Sequence, residues 1–343
     1  MFNKPETDNI KPKSVNTLIV GQGLAGSLVA WELMQRGENI AVIDEGLPVT
    51  SSKIAAGMFN PINTKRYTVS ANVEANIEAA LNVYGSMEKE LGITLINRQN
   101  IYNVFGNTKE GNDYTLKLDH PFFQKHTISK PFPEEHIIQP FGAFEVGLSG
   151  WIDLRKMLSS IRNCISTKHV LVEEIFDYSK LSHQEDTWEY KHIRAQSVIF
   201  CEGYKANQNP FFSDLNIIPC KGDVLEFEAP DLQLTRVVKK GIYIVALGEG
   251  KFKCGSLYKW ENNNTEVQQA DYDELKQKLD SLIDVPYAIT KHEAAIRPTT
   301  KTRETLFQKH DTLPNIYVVN GLGTKGVING VKAVRQLIET LYP

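Results

Sequence analysis

The feature that most constrains this chain is the glycine loop "GQGLAG", which runs from Gly21 to Gly26. It follows the apolar run "TLIV" and precedes "LAGSLVAWELMQRG", a pattern that predicts a helix ending at Gly37. In a G-x-G-x-x-G loop, Gly21 permits a sharp turn, Gly23 lets the backbone approach a pyrophosphate, and Gly26 lets helix and strand pack closely. The helix N-terminus then presents its amides to the phosphates. The loop therefore predicts a dinucleotide site; the plain alternative is a glycine-rich turn in an α/β protein.

An acidic residue supports the dinucleotide interpretation. Asp44 ends the next apolar run, "NIAVID", which we predict as a second buried strand at β-α-β spacing. A carboxylate at this position accepts hydrogen bonds from a ribose hydroxyl and argues against a 2′-phosphate there.

A second loop with the same spacing, "GLGTKG", runs from Gly321 to Gly326 and also lies between a strand-like and a helix-like pattern. A second Rossmann half needs an acid about 20 residues beyond its glycines, and that count runs past Pro343. We therefore expect this loop to bring another helix N-terminus to the same cofactor, where the positive end of the helix dipole stabilises negative charge. A strand-to-helix turn that only packs is the open alternative.

Composition indicates an ordinary globular protein and excludes few functions. A chain of 343 residues predicts two domains, and its net charge of -3 gives no indication of a nucleic-acid surface. The cysteines are widely spaced, which predicts reduced thiols and no metal site. Because no apolar run approaches the ~20 residues of a membrane span, we expect a cytoplasmic protein without a membrane partner.

The remaining patterns predict an α/β fold with antiparallel strands in the middle of the chain. The first 13 residues read as a loose lead-in, and residues 73–91 as a helix. Residues 93–144 read as short strands and turns, and residues 217–258 as strand-rich. Further helices are predicted in "WIDLRKMLSSIRN", "DYDELKQKLDSLID" and "VINGVKAVRQLIETLY", and strands in "KHVLVEEIFDY", "AQSVIFCEG" and "NIYVVN".

Together the motifs resemble the D-amino acid oxidase and glycine oxidase family of FAD-dependent oxidoreductases, which includes the flavin domain of the tRNA enzyme that processes carboxymethylaminomethyl-uridine. The resemblance covers most of the chain and rests on these segments, in order: "TLIVGQGLAG", "VIDEG", "SSKIAAGMFNP", "VIFCEG", "KGDVLEF", "IYIV", "GSLYKW", "IRPTTKTRETLF" and "NIYVVNGLGTKGV". It implies a discontinuous Rossmann-like FAD-binding domain (1–75, 145–212 and 295–343) and a mainly antiparallel substrate-binding domain (76–144 and 213–294).

The resemblance also implies which residues hold FAD. Those at the pyrophosphate and ribose are Gly21, Gly23, Leu24, Ala25, Gly26, Asp44 and Glu45. Those leading to the flavin are Ser51, Ser52, Ala56, Gly57 and Met58, with Ile175 by the adenine and Gly203 in "VIFCEG". Those around the pyrimidine end of the flavin are Gly321, Leu322, Gly323, Thr324, Lys325, Gly326 and Val327. The plain alternative for "SSKIAAGM" is a capped helix start, but its position just after the ribose acid favours the flavin interpretation.

On the substrate side, Arg297 matches the carboxylate-binding arginine of the family. A guanidinium grips a carboxylate with two parallel hydrogen bonds, and Pro298 favours an extended backbone at Arg297. The resemblance implies that Tyr243 and Tyr258 occupy strand positions that face the substrate. The alternatives are a surface arginine and core or surface aromatics.

One departure limits the substrate assignment. Glycine oxidase has a second arginine where this chain has Thr324, and in this respect the loop is closer to the tRNA enzyme. Lys325 is a candidate for neutralising reduced flavin or attracting oxygen, or is simply a solvated lysine. We expect a small amine or amino acid as partner. A secondary amine on a larger molecule and a non-catalytic dinucleotide-binding protein stay open.

Overall fold

The computed structural model describes residues 13–260 and 264–342. The predicted lead-in therefore lies outside the described residues, except for Lys13, which begins the first strand. The helices are α1 (Leu24–Gln35), α2 (Ser51–Ile54), α3 (Val73–Leu91), α4 (Thr108–Thr115), α5 (Pro121–His126), α6 (Leu154–Lys168), α7 (Gln269–Asp280) and α8 (Gly326–Leu341).

The strands form two large sheets and two small ones. In chain order they are β1 (Lys13–Val20), β2 (Ile40–Asp44), β3 (Met58–Phe59), β4 (Ile62–Asn63), β5 (Thr68–Val69), β6 (Ile96–Arg98), β7 (Ile101–Val104), β8 (Thr127–Ile128), β9 (Ala143–Val146), β10 (Gly150–Ile152), β11 (Val170–Glu173), β12 (Leu181–Gln184), β13 (Thr187–Tyr190), β14 (Ile193–Phe200), β15 (Ile218–Glu228), β16 (Val237–Lys240), β17 (Ile242–Gly248), β18 (Lys251–Gly255), β19 (Ala288–Thr299), β20 (Leu306–Lys309) and β21 (Ile316–Asn320).

The first sheet has a parallel centre in the order β11-β2-β1-β14-β21. The antiparallel pair β13-β12 extends it beside β14, and β20 pairs with β21 at the edge. The central strands are apolar on both faces, as expected for a parallel sheet covered on both sides. Because β1 and β21 flank β14 and run parallel, their carboxyl ends lie at the same edge of the sheet. Both glycine loops begin at that edge.

Helices α1, α3, α6 and α8 cover one face of this sheet through a shared apolar core. Helix α3 has the predicted bounds and buries the predicted face, consisting of Ile77, Ala80, Leu81, Tyr84 and Met87. Helix α3 packs on α8, and the Tyr84 hydroxyl donates to the Val327 carbonyl at 2.9 Å.

The second sheet has the order β19-β15-β18-β17-β16-β7-β9-β8 and is antiparallel except between β16 and β7. One face packs on α7, where Leu225 and Phe227 meet Leu275 and Leu279. On the other face, Val224 of β15 and Ala295 of β19 contact Ile54 of α2. That face is therefore turned towards the part of the chain that carries the glycine loops.

The structure differs from the sequence-based expectation mainly between residues 93 and 144. Two short helices, α4 and α5, lie where strands and turns were predicted. Asn107 caps α4 by accepting from the Glu110 amide at 3.0 Å, and α5 begins with Pro121, a favoured first helical residue. Likewise, "WI" of "WIDLRKMLSSIRN" belongs to β10 and the helix starts at Leu154. Within the described ranges, no helix is long and apolar enough to cross a membrane.

Candidate functional site

The first glycine loop is as tight as its sequence predicts. Gly21 has φ 94°, and its amide donates to the Ile43 carbonyl of the neighbouring strand at 2.8 Å. A Cβ added at Gly26 would lie 1.9 Å from the Gly21 carbonyl oxygen, far inside van der Waals contact. Only glycine therefore allows α1 to start this close to β1.

The start of α1 offers backbone groups and not side chains. Leu24 and Ala25 bury their side chains in the apolar core, so only their backbone can face a ligand. The Ser52 hydroxyl of α2 accepts from the Leu24 amide at 2.9 Å, and this contact fixes α2 beside the loop. Because the first amides of a helix have no partner within it, this end of α1 is suited to an anion.

Asp44 lies next to the loop, at the end of β2. Its carboxylate accepts from the Gln22 amide at 2.8 Å, from the Gly46 amide at 2.9 Å and from Arg162 Nη1 at 2.9 Å. Arg162, on α6, also donates to Glu173 Oε2 at 2.6 Å. No local pattern marks Arg162 as a site residue, because its position beside Asp44 depends on how α6 packs.

The residues expected near the adenosine end surround the same sheet edge. Both carboxylate oxygens of Glu45 accept from Lys205 Nζ, at 2.5 and 2.8 Å, so this acid joins β2 to the turn that follows β14. Gly203 begins that turn. Ile175 follows β11, and its apolar side chain is 73% exposed.

The predicted stretch from Ser51 to Met58 forms α2 and the start of β3. Thr50 and not a serine caps α2, accepting from the Lys53 amide at 3.3 Å. Ser51 and Ala56 are partly exposed, and Met58 pairs with Trp151 in a small sheet of β3, β10 and β6. Gly57 packs against the Ile152 carbonyl, to which a Cβ would approach within 2.0 Å.

The second glycine loop lies against the first. A Cβ added at Gly326 would lie 3.1 Å from Leu24 Cδ2, so α8 starts next to the start of α1. Leu322 and Val327 are buried in the shared core, as Leu24 and Ala25 are, and only their backbone is available. Gly321 and Gly323 form the turn, Thr324 is exposed, and Lys325 is the N-cap residue of α8.

Asn320, which the sequence analysis did not single out, holds this loop. Its Nδ2 donates to the Gly203 carbonyl at 2.8 Å, and its Oδ1 accepts from the Gly321 amide at 2.8 Å. The Gly323 amide donates to the Pro298 carbonyl at 3.0 Å. The loop is thus tied both to the first sheet and to the end of β19, next to Arg297.

Arg297 lies on the face of the second sheet that is turned towards the glycine loops. A Cβ added at Gly222 would lie 1.9 Å from Arg297 Nη2, so the guanidinium extends directly over this glycine. It donates to the Leu257 carbonyl at 3.2 Å and to the Ser256 hydroxyl at 2.5 Å, and stacks 4.7 Å from the ring centre of Tyr258. Within residues 13–260 and 264–342 it has no carboxylate partner.

The structure brings both predicted tyrosines to Arg297. Tyr258 is half-exposed beneath the guanidinium, and Tyr243 is partly buried on β17, which is separated from β19 by β18 and β15. Burial raises the pKa of the Tyr243 hydroxyl, an effect that the Arg297 charge opposes only in part. Tyr243 therefore stays a neutral phenol that can donate a hydrogen bond. His292 points to the opposite face, where its Nε2 lies 3.0 Å from Asp223 Oδ1.

The arrangement fits a flavin dinucleotide. Two helix N-termini, an acid at the end of the second strand and an uncovered apolar side chain lie along one sheet edge. The guanidinium and a neutral phenol face that edge from the second sheet. The glycine contacts leave no room for side chains on the loop that would meet the pyrophosphate.

Comparison with known proteins shows the family to which the chain belongs. Residues 16–333 match the family model for FAD dependent oxidoreductases of the DAO type. Glycine oxidase from Geobacillus kaustophilus shares the fold with a TM-score of 0.80 at 19% identity, covering 95% of this chain and 94% of that one. Iminodiacetate oxidase from Chelativorans sp. BNC1 gives a TM-score of 0.77 at 17% identity, covering 95% of both chains.

A curated relative is a bifunctional protein that is named for the modification of tRNA. The tRNA 5-methylaminomethyl-2-thiouridine biosynthesis bifunctional protein of Marinobacter nauticus is 21% identical over 369 aligned residues, which cover 94% of this chain. The chain spans only 55% of that protein's length. Because the family model spans nearly the whole described chain, the protein belongs to the DAO family of FAD-dependent oxidoreductases, and its cofactor is FAD.

Proposed function

We propose that this protein oxidises the C–N bond of an amino acid or an N-substituted amine that carries a carboxylate. The observation that carries the proposal is the position of Arg297. Its guanidinium has no carboxylate partner among the described residues and lies on the face of the second sheet that is turned towards the glycine loops. Such a group binds a carboxylate bidentately. The glycine and iminodiacetate oxidases of the same fold are named for substrates that contain an amine and a carboxylate.

In this proposal the protein orients the substrate, and FAD accepts the hydride. Bound FAD supplies a hydride acceptor at N5, so no protein base is strictly required. Arg297 fixes the carboxylate and thereby the direction of the neighbouring carbon. Its own position is fixed by the Ser256 hydroxyl, the Leu257 carbonyl and the ring of Tyr258. Tyr243, protonated over the whole physiological range, donates a hydrogen bond to the substrate.

The cofactor is held by the residues gathered at the sheet edge. The amides at the start of α1, with Ser52 beside them, take the pyrophosphate. Asp44 takes a ribose hydroxyl. The positive end of α8 and Lys325 take the pyrimidine end of the flavin.

Anaerobic reduction of the bound flavin tests the proposal. The purified protein should be yellow, and its flavin absorbance should bleach with one or more of glycine, sarcosine, other N-alkyl glycines, iminodiacetate or D-amino acids. Bleaching by a carboxylate-bearing amine, but not by the matching amine without the carboxylate, is the expected result. A fully FAD-loaded protein that no amine reduces would instead favour a non-catalytic dinucleotide-binding protein.

A second candidate substrate is a secondary amine on a larger molecule such as a modified tRNA base. The curated relative favours it, as does the "GLGTKG" loop, which has Thr324 where glycine oxidase carries its second arginine. The net charge of -3 argues against a broad nucleic-acid surface. Salt-sensitive binding of tRNA, measured on the FAD-loaded protein, would favour this candidate over a free amino acid.

A further inference from the structure

Two lysines come from different parts of the fold, Lys239 from the second sheet and Lys325 from the second glycine loop. Lys239 of β16 lies opposite Tyr243 on one neighbouring strand and opposite Asn103 on the other, so all three share a face. Its Nζ donates to the Thr64 hydroxyl at 2.8 Å, in the turn between β4 and β5. Lys325 comes from the second glycine loop and lies close enough for its charge to act on Lys239.

Within the described part of the chain, neither lysine has a carboxylate partner. Burial and the charge of Lys325 lower the pKa of Lys239 to about 8, and burial lowers the pKa of Lys325. Two other buried lysines differ in this respect. Lys221 Nζ lies 3.0 Å from Asp271 Oδ2, and Lys253 Nζ lies 3.6 Å from Glu226 Oε1.

Lys239 and Lys325 are partly buried amines without a counter-ion in the described part of the chain, so an anion bound nearby would stabilise their charged forms. Burying an unpaired charge costs free energy, and the positive N-terminus of α8 adds to the same field. The family's cofactor supplies such an anion, because a flavin ring gains negative charge at N1 and O2 when it is reduced without a second proton.

We propose that Lys239 acts together with Lys325 to neutralise the negative charge of the reduced flavin, and so makes the bound FAD a stronger oxidant. The role is electrostatic and adds a residue from the second sheet to those that the glycine loop supplies. It rests on the FAD site described above and not on the identity of the amine substrate.

Sulfite and the reduction potential test this role without any substrate. Sulfite donates its electron pair to flavin N5, and the negative charge moves to the ring, so its affinity reports positive charge nearby. The variants are Lys239→Met, which removes the charge, and Lys239→Arg, which keeps it. Lys240→Met is the matched control, because Lys240 is the next residue on the strand and its Nζ donates to the Ser281 carbonyl at 3.1 Å, away from the site.

In Lys239→Met we expect sulfite affinity to fall about tenfold and the two-electron potential of FAD to fall by about 30 mV, the equivalent of a tenfold change. Lys239→Arg and Lys240→Met should stay near the wild type. If Lys239→Met does not retain FAD, Lys239→Gln takes its place, and we expect the same fall in sulfite affinity and potential. Thr64→Val should lower both by less, because the amine of Lys239 stays.

Unchanged sulfite affinity and potential in an FAD-loaded Lys239→Met variant would overturn the proposal. So would a rise in KM for dicarboxylate amines with the potential unchanged, since the lysines would then hold a substrate group. Because both readouts need only bound FAD, failure to oxidise any amine refutes the proposed function and leaves this test valid.

Discussion

The side chain of Asn320 links the two halves of the cofactor site by donating to the Gly203 carbonyl at 2.8 Å. Asn320 ends β21, and Gly203 begins the turn after β14, so one amide joins the carboxyl ends of two adjacent parallel strands. The side-chain oxygen of Asn320, Oδ1, also accepts from the Gly321 amide, the first amide of the second loop. The loop near the C-terminus is therefore positioned by the same sheet edge that bears the first loop.

Replacing Asn320 with leucine should loosen the second loop. The change keeps the number and branching of the side-chain heavy atoms but leaves the part-buried Gly203 carbonyl and the buried Gly321 amide without their partner, which costs about 1–3 kcal/mol. We expect FAD affinity to fall about tenfold and the melting temperature of the FAD-loaded protein to fall. Asn39→Ala is the control, because it removes a 3.1 Å bond to the Ser14 carbonyl at an exposed site far from both loops. Equal FAD affinities in the two variants would contradict the linking role.

Gly26→Ala should disrupt the start of α1. Its Cβ would lie 1.9 Å from the Gly21 carbonyl, so loop or helix must move, and with it the amides that face the pyrophosphate. We expect a protein that folds less stably and is purified without FAD, as judged by absorbance and thermal melting. Gly85→Ala is matched: Gly85 lies inside α3 with no atom within 4 Å of an added Cβ, so alanine should stabilise the helix by ~1 kcal/mol. Retention of FAD in Gly26→Ala would show that the loop tolerates the shift.

The sequence allowed prediction of the parts of the site that depend on local geometry. The G-x-G-x-x-G spacing and Asp44 lie where predicted because turn, helix start and strand end are set by neighbouring residues. Helix α3 has the predicted bounds because its apolar stripe repeats over five turns, whereas α4 buries only Tyr114 and has no stripe. The sequence does contain an N-terminal signal for α4, because Asn107 followed by Glu110 three residues later resembles a capping box.

The side chains that hold the site together were not predicted because they come from distant segments. Arg162 reaches Asp44 across 118 positions, and Asn320 reaches Gly203 across 117. No local pattern marks such contacts. Lys239 differs from these two residues: pairing "VVKK" with "IYIV" across Gly241 places it opposite Tyr243, so its face could have been inferred from strand alternation.

Arg297→Met should impair turnover of carboxylate-bearing amines and leave FAD bound. Losing a guanidinium–carboxylate pair costs about 3 kcal/mol, or about 10²-fold in kcat/KM. Arg297→Lys keeps the charge but loses the planar fork, so we expect it to lie between Met and wild type. Stopped-flow reduction of the flavin over a substrate series checks this. An equal loss in Arg297→Met for amines without a carboxylate would point to a structural role at Ser256 and Tyr258.

Lys239 should make the stability of the FAD-free protein depend on pH. Its pKa is about 8 in the folded chain, against an ordinary value of 10.5, so between these pH values the unfolded chain binds more protons. The free energy of unfolding therefore rises with pH across this window, and below pH 8 the folded protein bears the full cost of the charge. The shift corresponds to about 3 kcal/mol at most. The hydrogen bond from Lys239 to Thr64 stabilises the folded protein and reduces this net cost.

Lys239→Met removes this charge and should be more stable than the wild type at pH 7, by up to about 3 kcal/mol, with the difference shrinking as the pH rises from 8 to 10.5. Urea unfolding of FAD-free protein at several pH values measures the difference, and shifts at other groups common to both proteins cancel in it. Lys240→Met should show no such pH-dependent gap, because its amine contacts the Ser281 carbonyl outside the site. A residue that destabilises the empty protein yet strengthens flavin as an oxidant would be retained for the reaction and not for the fold. A Lys239→Met variant that is less stable than wild type at pH 7 would contradict the first part of that argument, the destabilisation of the empty protein by the charge.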